Sequence, residues 1–232
     1  MPTPTEPADR SPLEAAVAVV KPRLRGWIHA GTFPLALAAG IVLVALAPTS
    51  KARVGAAVFA LTAALLFGTS AVYHRGTWSP RLEGVLKRLD HSNIFLIIAG
   101  TYTPFALLLL PEGQSRSLLL IAWAGAIGGV LFRVFWVGAP RWLYTPIYVA
   151  LGWVAVFYLE PLYRGGGAAV VTLIAVGGLL YTLGAVVYGT KRPDPSPRWF
   201  GFHEIFHAFT VAAFAVHYIA VSIAVYGHTN AV

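Results

Sequence analysis

The sequence predicts an all-α integral membrane protein: a bundle of seven transmembrane helices with the N-terminus in the cytoplasm and the C-terminus outside. Three observations predict it. Hydrophobic residues make up 57% of the 232 positions and charged ones only 11%, against about 25% charged in ordinary soluble domains. The apolar residues gather into seven stretches of about 20, enough to cross a hydrocarbon core of ~30 Å as helices. The connections are short and share lysine and arginine unevenly, thirteen on one side and four on the other.

Residues 1–25 are polar and proline-rich, without the basic start and apolar core of a cleavable signal. They read as a cytoplasmic tail with a short helix over 13–20, and residues 26–232 as one transmembrane domain. The first stretch runs over 27–47. The second, 54–74, ends on His74, and the third, 91–110, opens at Asp90. The fourth, 117–137, follows a Pro-Glu-Gly turn at 111–113. The fifth and sixth, 143–163 and 168–189, are parted by 164–167. A Pro-Asp-Pro-Ser-Pro run at 193–197 precedes the seventh, 203–226. Trp27, Trp78, Trp142 and Trp199 fall near span ends, as an interfacial belt requires. Glycines at 125, 128, 129, 177 and 178 suit close helix packing. Arg133, one turn inside the fourth stretch, is expected to snorkel to the cytoplasm.

The basic excess, net charge +8 and pI near 10.0, sits between spans, where it sets orientation, so nucleic-acid binding is not expected. With no cysteine in the chain, disulfides, thiolate metal sites and thiol nucleophiles are excluded. The lysine and arginine count places the N-terminus inside. The second helix then runs inward, and the third and seventh start on the cytoplasmic side. His74, Asp90, His203 and His207 therefore share one membrane depth, where ionisable residues mark function.

His203-Glu204-Ile205-Phe206-His207 sets two imidazoles on one helical face about 6 Å apart. That suits two ligands of one zinc ion, with bonds of about 2.0 Å. His74 as third ligand leaves a fourth position open, the form of a catalytic site that acidifies a water. Asp90 could orient a ligand or take a proton, and Ser70, one turn before His74, could hydrogen-bond water or substrate. An all-histidine donor set also suits iron or nickel. The same run is a literal H-E-x-x-H, in which a metalloprotease uses the glutamate as base. No further acidic ligand motif follows it, the short loops leave no polypeptide cleft, and Glu204 lies about 100° around the helix from His203. His217, about 15 Å beyond His207 along the helix, reads as a packed or water-bridged side chain. His91 points elsewhere on its helix, and His228 falls in the outer tail.

Ser70-x-x-x-His74, Asp90 heading a helix that continues Ile-Ala-Gly-Thr-Tyr-Thr-Pro at 98–104, and His203-x-x-x-His207 together carry a family likeness. From His29 to His217 the chain resembles the haemolysin III-like branch of the progestin and adiponectin receptor family. His29 sits where that family often has a histidine, but Arg25-Gly26-Trp27-Ile28 replaces the acidic and amide residues that commonly precede it. The resemblance implies a zinc ion held by His74, His203 and His207 with Asp90 and Ser70 beside it, an arrangement shared with alkaline ceramidases. It implies a plasma-membrane hydrolase of an amide or ester bond in a membrane lipid, ceramide-like or related. The competing expectation is a non-enzymatic haemolysin- or receptor-like protein with a structural zinc, acting in cytolysis or membrane lipid homeostasis.

Overall fold

Helices begin and end where proline, glycine or a hydroxyl interrupts the apolar runs. In the computed structural model, which describes residues 22–227, α1 (Trp27–Ala45) starts after Gly26, whose φ of 79° favours glycine. Thr49 caps α2 (Ser50–Arg75) by accepting from the Ala52 N–H at 3.1 Å. Pro80 takes the first position of α3 (Pro80–Leu109), where its missing N–H costs nothing. Pro111 precedes α4 (Glu112–Phe135) and Pro140 precedes α5 (Arg141–Gly152). A 3-10 turn over Trp153–Tyr158 leads into α6 (Leu159–Thr190), and α7 spans Phe202–Gly227. The expected tail helix at 13–20 and His228 lie outside the described residues.

Among the described residues, six helical segments are long and apolar enough to cross a membrane, the stretch from Arg141 to Thr190 counting as one. That stretch is not straight. Gly167, at φ 74° and ψ 179°, breaks the helix, and the two arms fold back on each other. Trp153 Nε1 donates to Thr182 Oγ1 at 2.9 Å, and the Tyr144 and Tyr188 hydroxyls meet at 3.0 Å. Glycine at 165 lets the bend press on the Leu109 carbonyl at the end of α3.

The 3-10 turn frees backbone groups that lipid could not satisfy. The Tyr102 hydroxyl reaches across from α3, accepting from Ala155 N–H at 3.0 Å and facing the carbonyls of Leu151 (3.2 Å) and Gly152.

Two expectations are corrected. The third helix starts ten residues before Asp90, because Pro80 and the helix-favouring residues after it extend the apolar run with an exposed amphipathic overhang. Asp90 therefore sits inside α3, not at its mouth. Arg133 does not snorkel: it is 1% exposed, because its guanidinium folds over the Tyr144 ring, 4.4 Å from the centroid.

Neighbouring helices approach closely at small residues. A side chain at Gly55 would meet Pro104, at Gly100 Thr62, at Gly125 Leu151, at Gly129 Phe95 and at Gly177 His217, whereas Gly128 faces open space. Large apolar side chains also face outward: Leu35, Leu120 and Phe157 are 72%, 69% and 84% exposed. Water would penalise such a surface and lipid would not.

Candidate metal centre

Three helices deliver the site to one end of the bundle. The last two turns of α2 carry Ser70 and His74, both buried, while α7 opens with His203 and His207. One ring nitrogen from each of His74, His203 and His207 lies within 4.8 Å of the others, so the group could hold a metal ion. His74 Nε2 and His203 Nε2 are 3.3 Å apart. Two nitrogens bound tetrahedrally to one zinc at ~2.05 Å stand about 3.3 Å apart, so the spacing of this pair fits. From α3, Asp90 places Oδ2 3.6 Å from His74 Nε2. Ser70 flanks the same carboxylate.

Glu204 is occupied elsewhere. Its Oε2 accepts the Gly201 N–H at 2.8 Å, the capping contact of a glutamate in the third helical position. Its Oε1 pairs with Arg25 Nε at 2.5 Å, and its side chain is 1% exposed. A carboxylate held by an arginine and a backbone amide is poorly placed to act as the base of an H-E-x-x-H protease. The main chain reinforces this anchorage: Arg23 and Leu24 N–H donate to the Arg198 and Trp199 carbonyls at 3.0 and 3.2 Å.

Several neighbours escaped the sequence. His29 stacks on His207, rings 3.8 Å apart and 9° from parallel, and among the described residues neither of its buried nitrogens has a hydrogen-bond partner. Its position in the first helix hinted at this, but the stacking partner is 178 residues away. His91 turns out to adjoin the site. Its Nδ1–H donates to the Lys87 carbonyl at 2.7 Å, which leaves Nε2 to accept from the Tyr188 hydroxyl at 3.3 Å. His217 packs as expected, on Tyr181 and 3.3 Å from the Ile174 carbonyl.

The centre lies between two unlike spaces. On the interior side is a narrow cavity of about 130 Å³, walled largely by aliphatic and aromatic side chains such as Ile94, Ile98 and Phe206, with Asp90, His203 and His207 at one end. On the other side is a wider basin of about 900 Å³, with His74 and His203 in its wall and Arg25, Lys87, Arg133 and Arg141 around it. His91, Tyr188 and His203 border both.

Helices apolar on their outer faces, with a buried histidine and carboxylate centre at one end, define a multi-pass membrane protein with a potential metal site. The chain belongs to the haemolysin-III related family, whose sequence model matches residues 17–218. It is 33% identical to the Hemolysin-3 homolog of Bacillus subtilis (strain 168) over 164 residues, 71% of this chain and 74% of the relative. It is also 33% identical to Hemolysin-3 of Bacillus cereus over 173 residues, 75% and 76% of the two chains. The Adiponectin receptor protein of Drosophila melanogaster is 27% identical over 184 residues, 71% of this chain and 41% of the receptor. The family resemblance drawn from the motifs therefore holds.

Proposed function

We propose that the protein is a zinc-dependent hydrolase of an amide or ester bond in a membrane lipid, ceramide-like in chemistry, working at the cytoplasmic side of the plasma membrane. The observation that carries this reading is the three-histidine cluster beside Asp90 at the end of an apolar cavity. His74, His203 and His207 would hold the ion, which supplies Lewis acidity and an acidified water when bound.

The chain's own residues supply the rest. Asp90 takes the proton of the attacking water at Oδ2 and returns it to the leaving group. The Ser70 hydroxyl donates to the substrate oxygen as negative charge builds there. Ile94, Ile98 and Phe206 line the space for hydrocarbon and exclude water; an apolar cavity on the order of 150 Å³ takes up a benzene-sized guest.

Orientation rests on the charge count, and the seven-crossing arrangement is supported by the fold-back at Gly167. Fifty residues would form a straight helix of about 75 Å, more than twice a hydrocarbon core of ~30 Å. Folded in two, they cross twice and put the chain ends on opposite sides, with the N-terminus inside.

The test is elemental mass spectrometry on detergent-purified protein, wild type beside His74→Ala and His207→Ala, followed by turnover of short-chain ceramide and ester lipids. We expect one zinc per wild-type chain, lost in both variants together with turnover. A metal-free wild type with native melting would sink the reading. The histidines come from both α2 and α7, which favours a second reading, a structural zinc clamp. Melting that falls on chelation, with no lipid turnover in any state, would select it.

A further inference from the structure

Arg133 is buried at 1% exposure among residues that bound the basin beside the metal centre. The face of its guanidinium lies over Tyr144, and Nη2 donates to the Val137 carbonyl at 3.2 Å. Among the described residues, its Nε and Nη1 have no hydrogen-bond partner. No carboxylate pairs with it among the described residues. A buried charge with unused donors is expensive unless a ligand completes it.

The rest of the basin has the same sign. Lys87, Arg141 and Lys191 border it with Arg25, while Glu83 is the one acidic residue in its wall. Arg25 is neutralised by Glu204, which leaves four basic groups to one acid around the space. Arg141 is itself held in place, stacked over the Tyr188 ring at 4.5 Å with Nη1 on the Tyr188 carbonyl at 3.3 Å. Planar guanidinium donors held in a fixed orientation match phosphate oxygens, to which they can bond in pairs.

We propose that this basin is a phosphate-binding site, centred on Arg133, for a phosphomonoester or phosphodiester group. The metal centre separates it from the apolar cavity, so an amphiphile lying across the centre would set hydrocarbon on one side and phosphate on the other. This placement rests on the hydrolase reading; the phosphate site does not. The same chemistry could come from an anionic lipid headgroup or from free phosphate.

The experiment measures binding of dioctanoyl phosphatidate, dioctanoylglycerol and inorganic phosphate to the full chain in neutral detergent. Wild type is compared with Arg133→Met, Arg133→Lys, Lys87→Gln and His74→Ala. We expect phosphatidate to bind about tenfold or more tighter than the neutral diglyceride, as charge-assisted donors would give. Arg133→Met should abolish that preference and Arg133→Lys should restore part of it. Weak competition by inorganic phosphate identifies a lipid headgroup as the source. Inorganic phosphate binding as tightly as phosphatidate identifies a soluble one, and both results support the site. Equal affinity of wild type for the two lipids overturns it. If Arg133→Met does not fold, Lys87→Gln, altered at an exposed position, must lower the preference, and an unchanged preference there overturns the proposal. His74→Ala separates the two readings, since it should lose turnover and keep the headgroup preference. Headgroup preference without turnover in wild type leaves this site standing and sinks the hydrolase, whereas turnover without preference does the reverse.

Discussion

Arg25 and Glu204, 179 residues apart in sequence, form an ion pair that ties the approach to α1 to the first turn of α7. The same glutamate caps its own helix through the Gly201 amide. The pair orients the turn from which His203 and His207 project, and it leaves Glu204 poorly placed to serve as the base of an H-E-x-x-H protease.

Glu204→Ala should therefore act on stability first. Removing one partner of a pair this buried costs roughly 3–5 kcal/mol. Chemical unfolding in micelles should show that loss, while a charge-removing Arg25→Met, Glu204→Met double variant recovers part of it. If Glu204→Ala melted like wild type yet lost all turnover, Glu204 would be a catalytic base after all.

Asp90→Asn tests the proton carrier. It keeps the shape beside His74, 3.6 Å away, and removes the basic oxygen. Lipid turnover should fall by about 10²–10⁴-fold, the usual range for a general base, with zinc content retained. Unchanged turnover removes Asp90 from the proposed chemistry.

Chelation should lower the melting temperature of wild type, because a ligand that binds only the folded state stabilises it by mass action. His207→Ala should melt at the same temperature with and without chelator. A chelator effect that persists in His207→Ala would place the stabilising ion elsewhere.

Tyr102→Phe should loosen the 3-10 turn. The hydroxyl serves the Ala155 amide and the Leu151 carbonyl, and leaving them unsatisfied costs about 1–3 kcal/mol. Hydrogen exchange should rise at Ala155 specifically; protection equal to wild type there contradicts the role.

Gly177→Ala should strain the packing of α6 on α7. Its new methyl carbon would sit 2.5 Å from His217 Nε2, and overpacking of this kind costs typically 1–3 kcal/mol. Gly128→Ala, which meets nothing within 4 Å, is the matched control and should hold or slightly raise the melting temperature, since alanine favours a helix interior over glycine by about 0.5–1 kcal/mol.

Membrane class, the apolar runs and the pairing of His203 with His207 were legible in the sequence, because each depends on local facts, whereas His74 could be set beside them only through the orientation argued from the charge count. Spans announce themselves by apolar length, and a four-residue spacing puts His203 and His207 on one face whatever surrounds the helix. The helix ends were less legible. The overhang from Pro80 to Asp90 is charged and exposed, so apolar length missed it although its residues favour helix. Tertiary structure alone decided the fates of individual polar side chains. Glu204 became a cap and ion-pair partner, His29 a stacking plate on His207, and Arg133 a buried donor with unused N–H groups. The physical reason is that a burial cost is set by what stands opposite. The distant partners, Arg25 for Glu204, His207 for His29 and Tyr144 for Arg133, come from other segments of the chain, and no local spacing encodes them.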